Sequence, residues 1–146
     1  MTTTATSLRI ERVFKAKPEQ VFDAFAKPEK MMKWSCPHES GPGDVQMDFR
    51  IGGRYSITMP NPDGGTITAS GEYKLIDPPK RLQYSWTWDS PGWEGRESLV
   101  DLTFEPHEDG TKLTLNHTEL LDEDAVKGHA LGWEECFEHL AKFVES

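Results

Sequence analysis

Apolar and polar residues take turns along the first stretch of the chain: Leu8, Ile10 and Phe14 are separated by Arg9, Glu11 and charged neighbours. A period of two is the signature of a half-buried strand. The rhythm changes at Lys17-Pro18-Glu19, after which Val21, Phe22, Ala24 and Phe25 cluster on one face, predicting a short helix that begins at a proline. Pro28 ends it and opens a second short helix that holds Met31, Met32 and Trp34, and Pro37, Gly41, Pro42 and Gly43 mark a loop. From 44 to 118 every apolar run alternates. Val45, Met47 and Phe49 are followed by Tyr55, Ile57 and Met59, then by Ile67, Ala69, Gly71, Tyr73 and Leu75 on one side of a longer strand. Leu82, Tyr84, Trp86 and Trp88 give the most aromatic face, and Val100, Leu102 and Phe104, then Leu113, Leu115 and His117, complete the series. Turn signals separate these runs: RIGGRY, NPDGG, DPPK, SPGWEG and HEDG.

The chain ends on a helical period. Val126, Ala130, Trp133, Phe137, Leu140 and Val144 recur at steps of three and four, with Asp122 or Asp124 placed to cap the start. The order is strand, two short helices, six strands, one long helix. A curved antiparallel sheet needs a cover for its apolar face, and only the C-terminal helix is long enough. The expectation is an α+β fold: a seven-stranded curved antiparallel sheet wrapped around a long C-terminal helix, with two short helices after strand 1. It occupies residues 8–146 as one domain behind a polar, disordered start over residues 1–7, with no linker or repeat.

Composition narrows the partners. Sixteen Lys and Arg stand against 25 Asp and Glu, for a net charge of −9, which repels phosphate backbones. Nucleic acid is not expected. The start MTTTATS has no apolar core of a leader, and no 18 apolar residues run together, so a cytoplasmic protein with no membrane insertion is expected. Two cysteines, Cys36 and Cys136, suit reduced thiols in that compartment. Cys36 with His38, and Cys136 with His139, could supply four ligands, but the spacing of the first pair is unusual for zinc, so neither metal nor cofactor is expected. Five Trp, seven Phe and three Tyr are many for 146 residues and suit either a packed core or a pocket wall.

One feature of the last helix departs from good helix design. Gly128 and Gly132, each costing roughly 0.5–1 kcal/mol relative to Ala, form with Cys136 a strip of little bulk beside Ala125 and His129. Either the strip borders a cavity or it lets the helix press against the sheet backbone. In the first case the candidate wall is Trp34, Met47, Phe49, Tyr55, Ile57, Met59, Tyr73, Tyr84, Trp86, Trp88, Leu115, His117, His129, Gly132, Trp133, Cys136 and Phe137. Buried Tyr hydroxyls and indole N–H groups need partners, which a ligand, ordered water or one another could supply. His117 and Tyr84 are the candidates for proton transfer if there is chemistry. No nucleophile elbow, phosphate loop or dinucleotide fingerprint accompanies them.

Six segments in register, ERVFKAKPEQVFDAFAKPEKMMKW, DFRIGGRY, PDGG, GEYKLIDPPKRLQYSWTW, ESLVDLTFEPHEDGTKLTLNHTEL and GHALGWEECFEHLAKFV, resemble the activator of Hsp90 ATPase homologue-like proteins. Those belong to the START-like (SRPBCC, Bet v 1-like) helix-grip superfamily. The resemblance spans about residues 8 to 145 and implies a helix-grip fold with a cavity between sheet and helix, entered near the two short helices. It leaves function open, because members carry lipids, bind hormones, shape polyketides or stimulate a chaperone ATPase. The leading expectation is a non-enzymatic protein that encloses a small apolar or aromatic molecule. The alternatives are a cyclase- or hydrolase-like enzyme using the same cavity, and a module that binds a protein partner through its surface.

Overall fold

The computed structural model describes residues 6–35, 44–60 and 64–145. Strand β1 (Leu8–Phe14) is followed by α1 (Pro18–Ala26) and α2 (Pro28–Met31). Pro18 stands in the first turn of α1, where no N–H is required, and Gln20 Oε1 accepts the Lys17 N–H at 3.0 Å. The second helix is shorter than its apolar residues suggest: it ends at Met31, and the chain turns through Met32 to Trp34. Met31 and Trp34 are buried, while Met32 faces solvent.

Six more strands follow, β2 (Asp44–Met47), β3 (Arg54–Pro60), β4 (Thr66–Asp77), β5 (Arg81–Trp88), β6 (Ser98–His107) and β7 (Gly110–Thr118), and then α3 (Glu123–Val144). The strands form one antiparallel sheet in the order β1-β7-β6-β5-β4-β3-β2. Gly64, at the start of the β3–β4 turn residues described, has a φ of 106°, which a side chain would resist. Gly71 is needed for a different reason: a Cβ there would lie 1.9 Å from the Ser85 carbonyl oxygen, so β4 and β5 approach more closely than any other residue permits.

Alternation misreads one strand. Tyr73 pairs with Tyr84 but Leu75 pairs with Gln83, so Lys74 is an extra residue, a β-bulge. Past it the phase reverses, and Ile76, opposite Leu82, packs on the core in place of Leu75. The expected start also moves: residues 1–5 lie outside those described, but the Thr6 carbonyl accepts the Leu120 N–H at 2.9 Å, so the chain is engaged before Leu8.

Asp122 caps α3, its Oδ1 accepting the Ala125 N–H at 2.8 Å. The second half of α3 packs on β1 and α1: Phe137 meets Phe14 edge to face at 6.0 Å, beside buried Leu140 and Ala141. Around them Phe22, Phe25 and Phe104 interlock with centroids 5.1–5.6 Å apart, and Trp34 caps this group with its indole N–H on the Ala24 carbonyl at 2.9 Å.

Candidate functional site

The first half of α3 does not close on the sheet. Between it, β3, β4, β5, the β5–β6 loop and the segment just after α2 lies a cavity of about 340 Å³. Its helix wall is Ala125, Gly128, His129, Gly132, Trp133 and Cys136, at steps of three and four. A Cβ built on Gly128 or Gly132 would meet no atom within 4 Å, so the thin strip borders open space rather than backbone. The sheet wall is Ile57, Met59, Ile67, Trp86 and Trp88, and Met31, Trp34, Ser35, Ser90 and Trp93 complete the lining. All five tryptophans of the chain stand in this wall, and none of its seven phenylalanines does.

Two tryptophan–histidine pairs set the wall's electrostatics. The Trp133 indole N–H donates to His117 Nδ1 at 3.0 Å, so the ring proton sits on Nε2, which donates to Ser98 Oγ at 2.8 Å. The Ser98 hydroxyl in turn donates a hydrogen bond to the Trp86 carbonyl at 2.9 Å. His117 has no exposed surface, and burial, with His129 a lesser influence, holds its pKa down at about 3. In the second pair the Trp88 indole N–H donates to His129 Nε2 at 2.9 Å, and His129 Nδ1 donates to the Ala125 carbonyl at 2.7 Å. Burial lowers the pKa of His129 too, against the Ala125 hydrogen bond. Both imidazoles are neutral at pH 7, with their rings 5.0 Å apart.

Nine of the expected wall residues meet at the cavity: Trp34, Ile57, Met59, Trp86, Trp88, His129, Gly132, Trp133 and Cys136. Eight do not line it. Tyr55, Tyr73 and Tyr84 do point inward, but they stack on one another at 5.1–6.0 Å and fill the sheet's concave face before the cavity begins. Met47 and Phe49 are half-buried beside them, with Phe49 on Phe22 and Tyr73 and the Tyr73 hydroxyl on Met47 Sδ at 3.7 Å. Leu115 and Phe137 are core, and His117 sits behind Trp133. For proton transfer the placement is unfavourable. Both nitrogens of His117 are engaged, and Tyr84 is buried away from the lining, where burial raises its pKa well above the usual range.

Some of the wall escapes a periodic reading. Trp93 lies in a Pro- and Gly-rich loop with no strand or helix phase, yet it is buried and packs on His129 at 5.8 Å. A bulky apolar residue between Gly92 and Gly95 was the available cue. Met31, Ser35, Ile67 and Ser90 also line the space, and Ala125 and Gly128 join it from the strip. Ser35 Oγ and Trp86 Nε1, with Tyr84 Oη, are buried without a hydrogen-bond partner among the described residues. Of the possible metal ligands, Cys36 and His38 lie outside the described residues and Cys136 lines the cavity. Among the described residues, no three His, Cys, Asp or Glu gather as a metal site would require. No helix among them is long and apolar enough to cross a membrane.

No functionally curated protein matches the chain. Among solved structures, a protein of Rhizobium leguminosarum is 31% identical, with a TM-score of 0.83 over 97% of this chain and 95% of its own. One from Rhodobacter sphaeroides is 28% identical, TM-score 0.84, covering 97% and 93%. CalU16 of Micromonospora echinospora is 27% identical, TM-score 0.73, covering 94% and 75%. Residues 15–145 match the family described as activator of Hsp90 ATPase homolog 1-like protein. With the seven-stranded curved sheet and its C-terminal helix, that match makes the chain a member of this START-like, helix-grip family.

Proposed function

We propose that the protein is a cytosolic, non-enzymatic carrier or sensor that encloses a small apolar or aromatic molecule between α3 and the sheet. The observation that carries this reading is the hollow beside Gly128 and Gly132, about 340 Å³ and walled by all five tryptophans. A volume of that size falls within the range of small-molecule sites, and dense aromatic lining with few polar groups is their usual chemistry. The glycines lower helix propensity at two positions, and no packed neighbour explains them. Trp86 Nε1 and Ser35 Oγ, both on lining residues, are the handles for a ligand oxygen.

The test is a ligand screen read by tryptophan fluorescence and melting temperature, because a molecule selective for the native state must stabilise it. Gly132→Leu then fills the hollow from the helix side. Affinity for any ligand found is expected to fall at least tenfold with the fold intact; unchanged affinity would place that ligand elsewhere.

A further inference from the structure

The proposed function leaves the charge of the ligand open, and the wall bears on it. Three of the five indole N–H groups are already committed within the protein: Trp34 to the Ala24 carbonyl, Trp88 to His129 Nε2 and Trp133 to His117 Nδ1. Once its N–H is bound elsewhere, a tryptophan offers a guest chiefly its π surface, whose electron-rich face attracts positive charge and repels negative charge. Among the described residues, the lining holds no Lys or Arg and no carboxylate. The one imidazole among the described lining residues, His129, is neutral, since Nε2 accepts the hydrogen bond from the Trp88 N–H. The thioethers of Met31 and Met59 add polarisable surface and no donor.

An anion would find little here. Apart from the neutral donors Trp86 Nε1 and Ser35 Oγ, which bring no countercharge, the nearest feature that could hold one is the start of α3, whose dipole is positive beside Ala125. That end is already answered by Asp122, which takes the Ala125 N–H, and by Glu123 and Asp124 in the first turn. The whole chain, at −9, draws cations and repels anions.

Building on the carrier reading, we propose that the cavity takes an organic cation of the quaternary-ammonium kind, bearing apolar substituents, held by cation–π contact with the tryptophan wall. Such an ion carries its charge on weakly hydrated methyl groups, so it enters without the desolvation cost that an ammonium with free N–H would meet. A neutral hydrocarbon of the same shape fills the same volume but gains nothing from the ring quadrupoles.

That contrast is the experiment. Benzyltrimethylammonium and neopentylbenzene differ only in N⁺ against C at the branch point, and benzylsulfonate supplies the opposite charge. Dissociation constants measured by calorimetry and tryptophan quenching are expected to favour the cation over the hydrocarbon by about fivefold or more, with no binding of the sulfonate. Trp93→Leu, in a loop, should bring the cation-to-hydrocarbon ratio towards one, and Trp93→Tyr should keep part of it. If the hydrocarbon binds as well as the cation or better, or the ratio survives Trp93→Leu, the cation proposal fails and the carrier reading stands. Binding of neither would overturn both.

Discussion

The two halves of α3 face the same sheet and do opposite things. From Phe137 to Ala141 the helix packs on Phe14 and α1, with Phe137, Leu140 and Ala141 buried. From Ala125 to Cys136 the same helix stands off and leaves a cavity. Residue choice follows the division. Phe14, Phe22, Phe25, Phe104 and Phe137 build the solid half, while every tryptophan, with an N–H to satisfy, lines the hollow half. One helix thus anchors the fold at one end and frames a site at the other, and the site can vary without threatening the anchor.

The largest expected effect lies in the solid half. Phe137→Ala should cost about 3–5 kcal/mol, since a fully buried ring would leave a cavity among residues that cannot collapse onto it. Urea melts check this, and a loss under 1 kcal/mol would mean that the packing described is not what holds the helix. His117→Leu comes next. It removes the acceptor of the Trp133 N–H and leaves that group buried, a loss of about 1–3 kcal/mol.

Acidification probes the same pairs more gently. His117 is held at about pKa 3 when folded against 6.5 when unfolded, so the unfolded chain takes up the proton first. Its contribution is complete above pH 6.5 and drains away as pH falls towards 3, by at most about 1.4 kcal/mol per pH unit. His129, also lowered, adds to the same slope. Stability measured from pH 7 to 4 should fall more steeply in the wild type than in His117→Leu, and parallel curves would dismiss the linkage.

Gly132→Leu, in the hollow half, should move stability least and upward, by about 0.5–1 kcal/mol from helix propensity, because a Cβ there meets nothing. A substantial destabilisation would show that the strip is packed after all and erase the contrast between the halves.

Much of this was legible in the residues. Period-two alternation located all seven strands, the three-and-four repeat located α3, and the Gly128/Gly132/Cys136 strip marked the side of the helix that borders the cavity. Each is a local pattern in which neighbouring side chains must share a face, so the sequence determined the elements and which face of each turns inward. How deep an inward residue lies was settled only by the assembled fold. Tyr55, Tyr73 and Tyr84 share the alternation of Trp86 and Trp88 but stop short of the cavity, the bulge at Lys74 exchanges Leu75 for Ile76, and a loop delivers Trp93. Whether an inward side chain touches a neighbour or a void depends on the distance between sheet and helix along their length. That distance is set by the sum of all the packing between them, and no short stretch of chain carries it.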